Sequence, residues 1–248
     1  MSEKTDVNPY QPENVAVFEA LYGKHLISLG GTAAIENMVA DMSLQHIKAL
    51  DIGFGIGGVA YYLAVTYQMA ISGVEIYPWM VQYAKEHAPA DVAQQLHFAI
   101  YEENGAIPFA RDTFDLAYSK GVLNHVHDKL PLFKNIHACL KEQGVFVIAD
   151  WIYPTKPPHH TGPLVCETET SYRAALTDAG FSKITFRNDC AAFMIYVRDF
   201  LKNLKTRRVV LTSLVGEEMY AAFQQEHEQL LRQLQQEEKI AVRITAKR

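Results

Sequence analysis

Residues 49 to 58 read Ala-Leu-Asp-Ile-Gly-Phe-Gly-Ile-Gly-Gly: an apolar strand ending in an acid, then a glycine-rich turn that leads into the helical stretch Val59 to Val65. That order is the nucleotide-binding turn of an α/β sheet. A Cβ in the turn would block both the positive φ angles and the close backbone approach that a ligand needs, which explains glycine at Gly53, Gly55 and Gly57. A second acid, Glu75, closes the next apolar strand, Ala70 to Glu75. A carboxylate about 20 residues beyond such a turn can accept both hydroxyls of a ribose.

The turn by itself leaves two cofactors open, because Gly53, Gly55 and Gly58 also satisfy the dinucleotide pattern G-x-G-x-x-G. The motif sits behind an N-terminal helical segment, and Asp51 precedes its first glycine. In both respects it resembles the AdoMet-binding motif of class I methyltransferases. The rival is an NAD-dependent oxidoreductase, which at this length would be a short-chain dehydrogenase with a Tyr-x-x-x-Lys pair. No tyrosine in the chain has a lysine four residues later.

At 248 residues and 49% hydrophobic content the chain can bury one large core, and α/β folds of this size are routinely undivided. The expected organisation is a single domain, with a helical lid over 1–45, a cofactor-binding core over 46–151, and substrate-side and C-terminal sheet elements over 152–248. No apolar run reaches the ~20 residues that span a bilayer, and the polar N-terminus lacks the apolar stretch of a signal peptide, so a cytosolic protein is expected. Cys139, Cys166 and Cys190 form no C-x-x-C pair and read as reduced structural residues rather than a zinc site or disulfide framework. A net charge of −5 argues against general attraction to nucleic acid or an anionic membrane. The local exception, Lys202 to Arg208, reads as a solvated helix end, with a phosphate-facing patch as the alternative. His159 and His160 lie in a proline-rich loop without companion acids or cysteines, so no metal is expected.

Strand and helix signals alternate as in βαβ units. Strands are expected at 47–52, 69–76, 96–100, 114–119, 145–151 and 183–188. Helices are expected at 78–87, 130–140 with Gly144 as C-cap, and 170–179 ended by Gly180. A long charged helix over 217–238 carries the apolar stripe Phe223, Leu230, Leu231 and Leu234, and 240–246 alternates as a strand that can pair antiparallel at the sheet edge. The fold class is α/β: a doubly wound, mostly parallel, Rossmann-like sheet of the class I methyltransferase type, with an N-terminal helical lid and an antiparallel edge strand. Ligands in such sheets bind outside the carboxyl ends of the strands, at the switch point.

Three segments narrow the resemblance. Tyr10 to Glu19, Tyr22 to Gly31 and Tyr118 to His125 are similar to phosphoethanolamine N-methyltransferases, over roughly the first 150 residues. In that family a tyrosine on the lid and a histidine after the fourth strand meet over the substrate as a catalytic pair, and Tyr10 and His125 fall on those positions. The resemblance implies AdoMet as cofactor, with S-adenosyl-L-homocysteine as product, held by Ile27, Ser28, Asp51, Gly53, Gly55, Gly57, Glu75, Ile76, Glu102, Glu103 and Ser119. Glu102 would face the adenine amino group. A histidine has an ordinary pKa of about 6.5, which suits it to take a proton from an amine acceptor, and Tyr10 would close the lid. His127, two residues on, is the competing imidazole.

On the acceptor side the chain departs from the family. The acid that contacts the substrate amine corresponds to Gly121, and the arginine and tyrosine that hold phosphate fall in His160 to Val165, where neither residue type occurs. Trp151 stands where the family has a tyrosine, keeping an aromatic face for a cation. Lys156, His160 or Arg173 would then have to supply a rebuilt phosphate site. The sequence therefore points to AdoMet-dependent methyl transfer to a small molecule, most readily an amine such as phosphoethanolamine, with Tyr10, Gly121 and Trp151 on the substrate side. A non-catalytic AdoMet-binding protein and an NAD-dependent oxidoreductase are the alternatives.

Overall fold

The computed structural model describes residues 10–102, 105–156 and 163–248. Its sheet is built from β1 (Lys48–Ile52), β2 (Ala70–Glu75), β3 (Leu96–Ile100), β4 (Phe114–Lys120), β5 (Leu140–Ile152), β6 (Ser182–Asn188) and β7 (Ile240–Lys247). These seven strands lie in the order β3-β2-β1-β4-β5-β7-β6. Pairings from β3 through β5 are parallel, and β7 runs antiparallel to both of its neighbours. The strand expected at 240–246 is thus antiparallel, one place in from the edge, with β6 outside it.

Alternation along each central strand sends side chains to two cores. Leu50, Ala117, Phe146 and Ile148 face one cluster, where α5 (Lys129–Cys139) and α6 (Glu169–Asp178) add Phe133, Ile136, Tyr172 and Leu176. Ala49, Leu116, Tyr118 and Val147 face the other, with Ile35 and Met38 of α2 (Gly31–Val39), Leu63 of α3 (Gly58–Tyr67) and Val81 of α4 (Pro78–Glu86). Phe133 and Phe146 are wholly buried, so truncating either to alanine is expected to cost about 3–5 kcal/mol. Because chain order runs outward from β1 in both directions, the switch point falls between β1 and β4, and a crevice opens beyond their carboxyl ends.

Three expectations are corrected or extended. First, α2 belongs to the core layer, so of the helical segment expected over 1–45 only the turn Pro12–Asn14 and α1 (Val15–Tyr22) lie outside that layer among the described residues. Second, Gly144 is not a helix cap: α5 ends at Cys139, and Gly144 lies in an irregular stretch of β5, where a Cβ would meet the Lys141 carbonyl oxygen at 2.8 Å. Third, the helix whose end was expected at Lys202 to Arg208 is α7 (Cys190–Thr206), which buries Cys190, Val197, Phe200 and Leu204. It packs on α8 (Arg208–Gln235), which breaks at Gly216, where φ is 79° and ψ 163°. The expected long helix is the part of α8 after that break, and Leu230, Leu231 and Leu234 do face α7.

Candidate active site

Beyond the carboxyl ends of β1, β2 and β4 lies a cleft of about 230 Å³. Its cofactor end is made by the glycine turn and Glu75. Gly55 has φ +57°, and a Cβ there would sit 2.6 Å from Ile27 Cδ1, so only glycine lets the turn pack under the segment that joins α1 to α2. The same segment is pinned by the Gly58 amide, which donates to the His25 carbonyl at 3.0 Å.

Glu75 is buried at the end of β2. Its Oε2 accepts from the Gly55 amide at 3.0 Å, and Oε1 accepts from Ile76 at 2.8 Å and Tyr77 at 3.3 Å. Burial raises its pKa, and these three amides oppose the rise. A carboxylate offers about four acceptor sites, so Glu75 keeps capacity for ligand hydroxyls.

Lys120, the last residue of β4, carries the opposite charge at the other side of the turn. Its Nζ donates to Ser28 Oγ at 2.6 Å and to the Leu29 carbonyl at 3.1 Å. No described carboxylate pairs with it, and burial lowers its pKa to about 8. A half-buried ammonium on the cleft wall, held by two neutral oxygens, suits an anionic ligand. Lys120 is the residue that sequence reasoning missed. The available signal was its place directly after Ser119, at the carboxyl end of a central strand.

At the mouth, Tyr10 and His125 meet. The Tyr10 hydroxyl is 3.4 Å from His125 Nε2, and the rings stand edge to face with centroids 5.8 Å apart. Tyr10 also packs on Phe18 of α1 and on Tyr77. His125 is exposed at the mouth, and partial desolvation of its ring among the cleft residues lowers its pKa, which favours the neutral imidazole. Its turn, Leu123–His125, is fixed from behind by Asp150, whose Oδ2 accepts from the Asn124 amide at 3.2 Å and from the Tyr172 hydroxyl at 3.3 Å. Burial pushes Asp150 up to about 6, against the donors of Trp151 and Asn124. His127 does not line the cleft, whereas His125 and, at the cofactor end, His25 do.

Of the expected residues, Tyr10, Ile27, Ser28, Gly53, Glu75, Ile76, Gly121 and His125 line this cleft together. Others do not. Asp51 is buried and does not line the cleft; its carboxyl is pushed up to about 8 by burial, a rise that the neighbouring Tyr118 hydroxyl opposes. Ser119 is spent on the Ile52 carbonyl at 3.1 Å, tying β4 to β1. Gly55 and Gly57 shape the turn without facing the cavity. Glu102 is exposed, while the preceding Tyr101 lines the cleft instead. Glu103 and His160 lie outside the described residues.

Trp151 is also displaced from its expected role. Lys239 Nζ stands 4.9 Å from its ring centroid and Phe193 packs at 4.8 Å, so the face expected to receive a substrate cation is taken by the chain's own ammonium. Arg173 is engaged elsewhere, by Glu169 at 2.7 Å and the Ile184 carbonyl, and Lys156 is exposed away from the cleft. The three cysteines are buried and unpaired. No described helix is long and apolar enough to cross a membrane.

Comparison with known proteins agrees with the geometry. The family model described as a methyltransferase domain matches residues 50–148. Phosphoethanolamine N-methyltransferase 3 of Arabidopsis thaliana is 25% identical over 219 residues, 85% of this chain and 44% of that protein. The Plasmodium falciparum phosphoethanolamine N-methyltransferase is 32% identical over 157 residues, 60% of this chain and 57% of that protein. The chain thus spans about half the length of these curated relatives. The solved structure of Haemonchus contortus phosphoethanolamine N-methyltransferase 2, in complex with phosphomonomethylethanolamine and S-adenosylhomocysteine, superposes with a TM-score of 0.85 at 18% identity, covering 97% of this chain and 58% of that one. The fold is that of class I methyltransferases, with antiparallel strands at one edge of the sheet.

Proposed function

We propose that this chain is an AdoMet-dependent methyltransferase acting on a small-molecule amine, with phosphoethanolamine as the first acceptor to test. The observation that carries the reading is the pair of opposite charges flanking the glycine turn. Glu75 suits ribose hydroxyls, and the otherwise unneutralised Lys120, with Ser28, suits the carboxylate of the methionyl part. Lys120 could also meet the pyrophosphate of a dinucleotide, so the NAD alternative is separated by binding, not by this charge. Bound AdoMet supplies an electrophilic methyl group on a sulfonium.

Everything else is work for the chain. An amine must lose a proton to expose a lone pair, and neutral His125 at the mouth accepts it and returns it to solvent. The Tyr10 hydroxyl holds the imidazole's orientation and covers the reacting centre from the lid. Positioning of this kind is a large part of what a methyl transfer requires. Lys239, over the rings of Trp151 and Tyr153 at 4.9 and 5.9 Å, does not line the cleft, so the phosphate of a phosphorylated acceptor has no assigned cation here.

The open space at Gly121 favours a second reading, a cofactor-binding protein that has lost its amine site. Mass spectrometry of the purified chain incubated with AdoMet and phosphoethanolamine, ethanolamine, glycine or sarcosine separates the two. A methylated product identifies the acceptor class. Tight S-adenosylhomocysteine binding by calorimetry with no product in any well supports the non-catalytic reading, and preference for NAD over AdoMet would sink both.

A further inference from the structure

We infer that the joint between α7 and the first half of α8 is a docking surface for an anionic lipid bilayer. Val209, Val210 and Leu214 are 83%, 51% and 48% exposed, among the most exposed large apolar residues of the chain. At 3.6 residues per turn, positions 209, 210, 213 and 214 fall within an arc of about 140°. Leu211 and Val215 point the other way, into the packing against α7. The outward arc therefore presents Val209, Val210 and Leu214, with Ser213 between them, and none of the described residues covers it.

Cations precede the strip along α7 and at the joint. Arg198, Lys202 and Lys205 share the exposed face of α7 at helical spacing, interrupted by one acid, Asp199, and Arg207 and Arg208 form the joint itself. Arg208 pairs with exposed Glu217 and Arg207 donates to the Ala20 carbonyl, but Arg198, Lys202 and Lys205 have no ion pair among the described residues. This concentration stands against a chain whose net charge is −5. Aliphatic side chains next to lysines and arginines suit an interface of anionic headgroups, where the cations meet lipid charge and the valines and leucine enter the acyl boundary.

A second copy is a poorer occupant, because a two-fold contact would set these cations against themselves. A protein partner is also a poorer fit, since the strip lacks the aromatic anchors that dominate such interfaces. The surface includes no residue of the cleft, so the inference stands or falls independently of the proposed activity.

Vesicle co-sedimentation tests it, using phosphatidylcholine alone and phosphatidylcholine mixed with phosphatidylglycerol. The expected result is binding only to the mixed vesicles, release at high salt, and partitioning reduced by about tenfold or more in Lys202→Glu/Lys205→Glu and in Val210→Glu/Leu214→Glu. Circular dichroism melts and S-adenosylhomocysteine titration verify that the variants fold. Equal sedimentation with neutral vesicles, no binding to either, or undiminished binding by folded variants overturns the proposal. So does a wild-type dimer in light scattering that Val210→Glu/Leu214→Glu dissolves.

Discussion

The Tyr10 hydroxyl and His125 Nε2 lie 3.4 Å apart although 115 positions separate the two residues in the chain. The contact joins the segment before α1 to the turn after β4, so the position of Tyr10 and the orientation of the imidazole are linked. Aromatic packing of Tyr10 on Phe18 and Tyr77 fixes the ring, and Asp150 fixes the turn from the opposite side.

His125→Ala is accordingly expected to lower the transfer rate by about 10²–10⁴-fold, the usual contribution of a positioned base, with S-adenosylhomocysteine affinity unchanged by calorimetry. Tyr10→Phe keeps the ring packing and should cost less. The imidazole works when neutral and partial desolvation lowers its pKa, so the acid limb of the kcat/KM profile should have its midpoint below 6.5. Equal loss of rate and cofactor affinity in His125→Ala would make the residue structural.

Lys120 and Glu75 are distinguished by which half of the cofactor each would hold. Lys120→Met is expected to weaken S-adenosylhomocysteine by about 10–100-fold, the value of a hydrogen-bonded charge, while leaving methylthioadenosine, which has no carboxylate, unaffected. Glu75→Ala should weaken both ligands together. Parallel losses for both ligands in Lys120→Met would take the carboxylate contact away from Lys120.

The two variants also mark where the sequence was informative. Gly53, Gly55 and Glu75 were legible because a tight turn and a strand-terminal acid are local patterns, and so were the alternating strands that set the sheet order. Lys120 was not, because a lysine after a strand looks solvent-bound until Ser28 and Leu29, about 90 residues earlier, are folded over it. Glu102 and Trp151 failed for the converse reason: position after a strand suggested the cleft, but tertiary packing leaves Glu102 in solvent and puts Lys239 over Trp151. Helix α7 was legible in its regular apolar spacing, Cys190, Val197, Phe200 and Leu204, and was missed apart from its basic end.

Asp51 gives a stability prediction with a definite sign. Its unfolded carboxyl loses the proton near pH 4, whereas burial holds the folded one to about 8. Folded Asp51 therefore binds the extra proton across that window, and its contribution to stability is fully present below about pH 4 and lost as pH rises through the window. Asp51→Asn has no proton to lose. The difference in melting temperature, variant minus wild type, should grow from pH 5 to pH 8.5 in differential scanning fluorimetry. A difference that does not change with pH would show that Asp51 does not titrate there.

Gly121 tests the acceptor. It lines the cleft with φ +70°, and a Cβ built on it meets nothing within 4 Å, so a side chain has room although the backbone is left-handed. Aspartate tolerates that region better than most residues, and Gly121→Asp should cost about 1–2 kcal/mol of stability. In return it places a carboxylate beside His125, where an ammonium would wait for its methyl group. If the acceptor is a primary amine, its KM is expected to fall by about tenfold in Gly121→Asp, as an ion pair in a partly desolvated cleft allows, while the affinity for S-adenosylhomocysteine stays constant. An acceptor carrying a negative charge at that end should instead bind less tightly. An unchanged KM across the whole amine panel, in a variant that still folds, would place the acceptor nitrogen away from Gly121.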